Sequence, residues 1–200
     1  MRVRAVGWSA LLIEVEEVDP WRVELDRRRA AGELVATDIV PGERTILLDG
    51  LPDPSSVAER LTRWHPPAGQ AVAPGRLVEV PTIYDGEDLP LVARHWGVPV
   101  DEVVRRHTGT EFRVAFCGFA PGFGYLTGLP AELSVPRLDT PRARVPAGSV
   151  ALAGRYCGIY PTPSPGGWLL IGRTSIPLFD VHADPPAVLT PGTRVRFGHA

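Results

Sequence analysis

The second half of this chain is interrupted by glycine and proline at short intervals, and this spacing limits the folds open to it. Of the 21 glycines, ten fall within residues 118–172. No helical periodicity of apolar residues persists there. Short apolar runs lie between the turns, at residues 112–117, 149–153, 168–171, 177–179 and 194–197. Many short strands joined by Gly/Pro turns predict a β-barrel or a β-sandwich over residues 111–200.

Residues 1–82 alternate instead between strand and helix signals. Asp19-Pro20 and Asp53-Pro54 each combine an N-cap residue with proline at the first helical position. They predict helices at residues 21–31 and from 54 to about 65. The residues expected to end these helices are Gly32 for the first, and Pro66, Pro67 and Gly69 for the second.

Apolar runs flank these two helices. They predict strands at residues 3–15, 34–40, 45–48 and 77–81. Pro41-Gly42-Glu43 has the composition of a hairpin turn between the second and third strands. The resulting order, βαββαβ, is that of a ferredoxin-like domain over residues 1–82. Such a domain hosts many functions and by itself indicates none.

Residues 83–110 predict two short helices, 88–96 and 101–107, with Gly97-Val98-Pro99 between them. A helix-turn-helix that binds DNA is disfavoured, because a net charge of −2 supplies no phosphate-binding surface. We therefore expect a helical linker between two domains. The same charge balance predicts neither a nucleic-acid nor a membrane partner.

The composition excludes several kinds of chemistry. All 21 basic residues are arginine, so no lysine can form a Schiff base, act as a general base or serve a P-loop. Cys117 and Cys157 form no CxxC pair, and the five histidines form no HxxH or HExxH motif. No metal site is therefore predicted. The apolar stretch at residues 8–15 is too short for a signal peptide, and it runs into acidic residues. This favours a cytoplasmic location.

The first candidate for a site is the loop at residues 118–125, where glycines alternate with aromatic residues. Glycine lets the backbone bend tightly or approach a ligand, and the aromatic rings could form the wall of a pocket. A structural turn with core aromatics is the equally weighted alternative. The residues singled out in this loop are Phe119, Pro121, Gly122 and Tyr125.

The second candidate is a local excess of positive charge. Between residues 133 and 179 the chain has five arginines and one acid, Asp139. Guanidinium groups bind carboxylates and phosphates, so an anion site is predicted, with scattered surface arginines as the alternative. Gly166-Gly167, followed by Trp168, can expose backbone N–H groups to an anion, although such a pair also occurs in plain hairpins. Arg173-Thr174 could add side-chain donors.

Together these segments resemble one family. The motifs that carry the resemblance are FAPGFGYL at residues 119–126, PRL at 136–138, PR at 141–142, RVPAGSV at 144–150, GIYP at 158–161, SPGGW at 164–168 and IGRT at 171–174. Their order and sequence are similar to the family of the 5-oxoprolinase B subunit, also called KipI-like or allophanate hydrolase subunit 1. The likeness is strong over residues 105–197 and weaker before them. Gly154-Arg155-Tyr156-Cys157 departs from the family's usual Gly-Gly-Gln-Thr, and Gly124 from its usual proline.

The resemblance implies a ferredoxin-like domain followed by a cyclophilin-like β-barrel, an α+β chain. It implies that the protein works with two partner proteins, the C and A subunits of the 5-oxoprolinase. The implied reaction is ATP-driven opening of the lactam of 5-oxoproline to glutamate, with ATP bound by the complex or by this chain. Phosphorylation of the amide oxygen requires positive charge around the phosphoryl group.

From these requirements we expect Arg142, Arg144 and Arg173 to bind anionic groups of the small-molecule substrate or the nucleotide. Ser149 and Thr174 lie in the same motifs and are included in the expected binding site. His107 is the candidate for proton transfer, because its ordinary pKa lies near neutrality. A structural histidine at a helix end is the alternative.

Three other functions stay open from the sequence. The family also contains an inhibitor of a sensor histidine kinase, so a regulatory role is one alternative. An allophanate hydrolase or urea amidolyase role would place a different anion in the same site. Prolyl isomerase activity rests on fold analogy alone.

Overall fold

The computed structural model describes residues 1–66 and 75–200. The chain forms two compact units, Met1–Ala73 and Pro74–Ala200. Of the residues expected to end the second helix, Pro67 and Gly69 lie outside the described part. Within the described residues, no helix is long and apolar enough to span a bilayer.

The first unit is a four-stranded antiparallel sheet with two helices. Its elements are β1 (Arg2–Val6), β2 (Ala10–Glu14), α1 (Val18–Ala30), β3 (Asp38–Pro41), β4 (Thr45–Asp49) and α2 (Pro54–Leu61). The strand order in the sheet is β1-β2-β4-β3. Leu25 of α1 and Leu61 of α2 are fully buried against the side chains of β2 and β4.

The single strand predicted at residues 3–15 is a hairpin. Gly7 has φ +60, a conformation that glycine adopts without steric cost, and it turns β1 back into β2. The order of the unit is therefore ββαββα rather than the predicted βαββαβ, and a ferredoxin-like domain is not confirmed. The hairpin between β3 and β4 is confirmed.

Of the two predicted helix starts, one is confirmed and the other lies two residues inside the helix. Oδ1 of Asp53 accepts a hydrogen bond from N of Ser56 at 3.1 Å, which confirms it as the N-cap of α2. Glu17, not Asp19, is the N-cap of α1, so Asp19-Pro20 lies inside the first turn of that helix. Asp19 still favours the helix there, because an acidic side chain complements the positive end of the helix dipole.

The second unit is built on a seven-stranded sheet. Its elements are β5 (Leu77–Thr82), α3 (Leu89–Trp96), α4 (Val100–Thr108), β6 (Glu111–Cys117), β7 (Gly124–Thr127), a 3₁₀ turn (Ala131–Leu133), β8 (Arg142–Val145), β9 (Ser149–Ala153), β10 (Tyr156–Ile159), β11 (Ser164–Gly166), β12 (Leu169–Arg173) and β13 (Arg194–His199). The sheet order is β12-β9-β10-β7-β6-β13-β5, and β8 and β11 form a separate ribbon.

The two edge strands of this sheet meet and nearly close a barrel. Ile83, just after β5, forms an antiparallel bridge with Arg173 at the end of β12. The predicted barrel is thus present, but β5 pairs in parallel with β13 and belongs to it. Assigning residues 77–81 to the first domain was wrong. Residues 177–179, predicted as a strand, contribute only an isolated bridge from Phe179 to Ala187.

Helices α3 and α4 are part of the second unit rather than a linker. Val92 and Val103 are fully buried and belong to the same apolar core as Val80 and Phe197 of the barrel strands. Helix α3 ends at Trp96, as the sequence predicted, and the glycine that follows it, Gly97, has the left-handed conformation.

Side chains alternate between the two faces of the barrel wall. Val150 and Leu152 of β9 point into the main core. Ala151 and Ala153 of the same strand face a second apolar cluster that contains Trp168. The barrel wall therefore has an inner core and a separate outer layer, and the outer layer holds most of the candidate site.

Candidate functional site

The outer layer is a continuous cluster of aromatic rings. Tyr125 stacks on Phe116 with ring centroids 4.4 Å apart. It also forms edge-to-face contacts with Phe123 and Trp168, with centroid distances of 5.1 and 5.6 Å. The members are Phe116, Phe119, Phe123, Tyr125, Tyr156, Tyr160 and Trp168. The structure thus brings together Phe119, Tyr125 and Trp168, which the sequence singled out separately.

The loop before Tyr125 exposes one of these rings. Phe119 has φ +69, the single positive φ of a non-glycine residue within the described ranges, and its side chain is 58% exposed. Such a conformation costs a side-chain-bearing residue about 1 kcal/mol or more. Gly122 has φ +84, and a Cβ there would lie 2.9 Å from Cβ of Phe179, so the turn requires glycine. Pro121 between them is exposed.

Two further glycines let the backbone pass close to the rings. A Cβ on Gly158 of β10 would lie 2.8 Å from Phe123 and 2.9 Å from Trp168. A Cβ on Gly166 would collide with the Tyr160 hydroxyl. Gly166 pairs with Arg142 in the β8–β11 ribbon, and Gly167 accepts a backbone hydrogen bond from Leu138 at 2.8 Å.

Arg142 is held by the protein itself. Its Nη2 lies 2.8 and 2.7 Å from the two carboxylate oxygens of Asp88, and its Nε lies 2.6 Å from Glu87. Its Nη1 donates to the carbonyl of Trp168 at 3.4 Å. Desolvation by burial works against the charge, but the hydrogen bond to Asp88 keeps the pKa of Arg142 raised. All three of its nitrogens are engaged.

Arg173 lies where the barrel closes and is much more open. Its backbone exchanges hydrogen bonds of 2.9 and 2.8 Å with Ile83. Its Nε donates to Oδ2 of Asp85 at 2.9 Å, and the two side chains are 60% and 47% exposed. Among the residues that the structure describes, neither Nη atom of Arg173 has a hydrogen-bond partner.

The other arginines of this region are solvent-facing. Arg144 and Arg137 are exposed, and neither forms an ion pair with any described residue. Arg155 lies over the ring of Tyr156 with 5.4 Å to the centroid. The predicted excess of positive charge is therefore partly neutralised, because Arg142 and Arg173 both face carboxylates of residues 85–88.

Ser149 and Thr174 lie beside Arg173. Ser149 is 5% exposed and pairs with Arg173 across β9 and β12. N of Thr174 donates to the carbonyl of Gly148 at 2.9 Å, and N of Gly148 donates to the carbonyl of Tyr160 at 2.7 Å. Tyr160 thereby connects the arginine end of the site to the aromatic cluster.

His107, a residue of α4, lies apart from these residues and contacts the main core, where its ring packs on Phe112 and Phe197. Its ring is fully buried, with the Tyr84 hydroxyl 2.8 Å from Nδ1 and Sγ of Cys157 3.4 Å from Nε2. Burial lowers the pKa of His107 to about 3, so the ring is neutral at physiological pH. Burial also raises the pKa of Cys157, which keeps that sulfur a thiol. The proton-transfer role remains a prediction, and this geometry supports the structural alternative.

Sequence reasoning missed the acidic partners and Tyr160. The run Asp85-Gly86-Glu87-Asp88 supplies all three carboxylates that contact Arg142 and Arg173. Its charge, opposite to that of the arginine-rich segment, was the available signal. No group of three or more His, Cys, Asp or Glu residues in the described ranges is placed to hold a metal ion.

The nearly closed barrel, together with the first unit, is a fold that this chain shares with a solved structure of another protein. The crystal structure of Kluyveromyces lactis urea amidolyase superposes with a TM-score of 0.68 over 99% of this chain and 15% of that one, at 19% identity, which establishes the fold alone. The chain belongs to the family of the carboxyltransferase domain, subdomain C and D, whose model matches residues 1–189.

Closer relatives confirm the resemblance to the B subunit of 5-oxoprolinase. The protein of that name from Escherichia coli O157:H7 is 40% identical over 209 aligned residues, covering 98% of this chain and 94% of its own length. A crystal structure of TTHA0988 superposes with a TM-score of 0.78 at 34% identity. That likeness covers 100% of this chain but 40% of the TTHA0988 chain, so the domain also occurs within longer polypeptides.

Proposed function

We propose that this chain is a subunit of an ATP-dependent 5-oxoprolinase, which converts 5-oxo-L-proline, ATP and water to L-glutamate, ADP and phosphate. The observation that carries the proposal is the 40% identity, over 98% of the chain, to the protein named as the B subunit of E. coli 5-oxoprolinase. The urea amidolyase likeness is too distant in sequence to favour that activity over this one.

In this proposal Arg173 binds the carboxylate of 5-oxoproline. Of the two arginines that face the carboxylates of residues 85–88, Arg173 alone keeps both Nη atoms without a partner among the described residues. Two parallel N–H donors match the two oxygens of a carboxylate. Arg142, with its nitrogens engaged by Asp88, Glu87 and Trp168, orients the ribbon rather than contacting the substrate.

The aromatic loop forms the apolar side of the same site. Phe119 is the exposed member of the cluster, and its backbone is held in a strained conformation. We assign it, with Tyr125 and Trp168 beneath it, to packing against the lactam ring and excluding water. An apolar wall with a few placed polar groups is the usual composition of a small-molecule site.

ATP supplies the phosphoryl group that turns the lactam oxygen into a leaving group. The exposed and ionically unpartnered Arg144 and Arg137 are the residues of this chain suited to its phosphates. Positive charge placed where the phosphoryl group transfers stabilises the charge that develops there.

We further propose that the chain acts with the C and A subunits of the enzyme, and that it is inactive alone. Two observations support partnership. The relatives are named as the B subunit of 5-oxoprolinase, which implies further subunits. The TTHA0988 chain contains additional polypeptide beyond the matched 40%. If partner subunits complete the binding site, the site of the isolated chain is incomplete and the chain alone is inactive.

The test is ATP-dependent release of glutamate from 5-oxoproline by the co-expressed A, B and C subunits, compared with the same set lacking this chain. Glutamate that appears only when this chain is present supports the proposal. A correctly assembled set that releases none rejects it, and favours the kinase-regulator or allophanate function.

Arg173→Gln tests the assignment of the carboxylate site. We expect kcat/KM to fall by about 100-fold, the loss of charge-assisted hydrogen bonds in a binding site, with Tm unchanged. Arg105→Gln is the matched control, because Arg105 is also an exposed arginine paired with one carboxylate, that of Glu102. Full activity of Arg173→Gln would exclude Arg173 from the site.

A further inference from the structure

The contact between Asp85 and Arg173 is built on a fixed backbone. Ile83, two residues before Asp85, forms two backbone hydrogen bonds with Arg173. Gly86, the residue after Asp85, donates to the carbonyl of Ile171 at 3.3 Å. A Cβ on Gly86 would collide with the backbone of Leu170, so this segment lies directly against β12. The backbone position of Asp85, beside Arg173, is therefore set by the barrel closure itself.

The contact uses one corner of the guanidinium. Nε of Arg173 donates to Oδ2 of Asp85 at 2.9 Å. A guanidinium has five N–H donors in a planar fork, so holding Nε leaves the edge between Nη1 and Nη2 for a second anion. A carboxylate that bound there would meet a guanidinium whose plane is already fixed. Binding normally has to remove the conformational freedom of a long side chain, and here the contact with Asp85 has already removed part of it.

The ion pair between Asp85 and Arg173 contributes too little to the stability of the fold for stability to be its role. Both side chains are about half exposed, at 60% and 47%, and such pairs contribute little to the free energy of unfolding. The adjacent closure is already held by backbone hydrogen bonds from Ile83, Gly86 and Asp88. The partly buried pair of Asp88 with Arg142 differs, because Asp88 there joins three elements of the fold.

We infer that Asp85 is a positioning residue for carboxylate recognition: it fixes Nε of Arg173 so that the Nη edge accepts the carboxylate of the substrate. The inference rests on the proposed binding of 5-oxoproline by Arg173. The inference predicts the direction in which carboxylate affinity changes when Asp85 is removed, because a purely electrostatic effect of Asp85 would repel the anion. Removing Asp85 must then weaken carboxylate binding if it positions, and strengthen it if it only repels.

The first measurement is the steady-state kinetics of the assembled three-subunit complex with 5-oxoproline. We expect Asp85→Ala to raise KM about tenfold with kcat within about twofold of wild type, the size of effect usual for a supporting contact. Asp85→Asn retains an oxygen that accepts from Nε and should stay within about threefold of the wild-type KM. Glu132→Ala, at an exposed acid with no ion pair among the described residues, is the control. An unchanged or lower KM for Asp85→Ala overturns the inference.

A second measurement does not depend on turnover. In the ¹⁵N-arginine spectrum of the chain, the Arg173 signals are assigned by comparison with Arg173→Lys and then titrated with acetate. Asp85→Ala should move the Arg173 Nε–H signal toward that of a free guanidinium and raise the apparent Kd for acetate about tenfold. Identical signals and Kd in wild type and Asp85→Ala overturn the inference.

The two measurements separate the failure of each proposal. An assembled complex that does not turn over 5-oxoproline rejects the proposed function, while the acetate titration still decides the role of Asp85. An active complex in which Arg173→Gln leaves KM unchanged rejects Arg173 as the carboxylate site, and the positioning role of Asp85 with it.

Discussion

Both carboxylate oxygens of Asp88 accept from the same guanidinium nitrogen, because Nη2 of Arg142 lies 2.8 and 2.7 Å from them. The same carboxylate accepts a hydrogen bond from N of Leu170 at 2.7 Å. Asp88 stands at the start of α3, Arg142 begins β8, and Leu170 lies in β12. One buried carboxylate thus joins a helix, the outer ribbon and the barrel wall.

This contact predicts that Asp88→Ala destabilises the second unit by about 3 kcal/mol, because it removes the acceptor of Nη2 of the partly buried Arg142 and of the buried backbone N–H of Leu170. Arg142→Met should cost less than Asp88→Ala, and the two changes together should cost less than their sum, since they share one interaction. Urea unfolding measures all three. Asp139→Ala, at an exposed acid without an ion pair among the described residues, is the control. An Asp88→Ala chain as stable as wild type would contradict the assignment.

The buried His107 predicts a dependence of stability on pH. Its folded-state pKa, about 3, lies below the unfolded value of about 6.5, so the unfolded chain takes up a proton before the folded chain does. Stability is therefore insensitive to this group above pH 6.5 and falls as pH decreases from there toward 3. At pH 5 the loss amounts to about 2 kcal/mol.

The measurement is the free energy of unfolding between pH 5 and 8 for wild type and His107→Gln. Carboxylates titrate in both chains, so the difference between the two curves isolates the histidine. We expect the difference to shrink as pH falls, because wild type alone loses stability through this group. Parallel curves would show that His107 titrates normally in the folded protein.

Local signals predicted local structure well. The cap by Asp53, the break between two helices at Gly97 and the hairpin between β3 and β4 each depend on a few neighbouring residues. The strand at residues 77–81 was found as a strand but assigned to the wrong domain. Its partner is β13, more than a hundred residues later, and the pairing of distant strands leaves no local trace.

The candidate site divides in the same way. Alternation of glycine with aromatic residues identified the loop at 118–125, whose rings do cluster. The arginines were identified by type, but their roles depend on partners far along the chain. Arg142 and Arg173 appear alike in sequence, yet one is neutralised by the buried Asp88 and the other by the exposed Asp85.

The close approach of β10 to the aromatic cluster makes a prediction about Gly158. In Gly158→Ala the new methyl group would lie under 3 Å from both Phe123 and Trp168, so the rings must shift. We expect a loss of about 1–3 kcal/mol in stability and a change in tryptophan emission. Gly198→Ala is the matched control in another strand, where a Cβ meets nothing within 4 Å. Unchanged emission and stability in Gly158→Ala would show that the aromatic rings accommodate the methyl group without loss of stability.

The strained backbone of Phe119 predicts that stability and activity separate at one position. Phe119→Gly removes the ring and also relieves the positive φ, a gain that offsets the larger entropy glycine gives the unfolded chain. Its stability should therefore stay within about 1 kcal/mol of wild type. Phe119→Ala removes the ring but keeps the strain, so it should be the less stable of the two.

Both variants should lose activity in the assembled complex by a similar factor of about tenfold or more, because both lose the exposed ring that we assign to packing on the substrate. Thermal unfolding and the glutamate-release assay measure the two effects separately. Wild-type activity in Phe119→Gly would remove Phe119 from the site. Activity lost in Phe119→Ala alone would show that the backbone conformation, rather than the ring, is what the reaction requires.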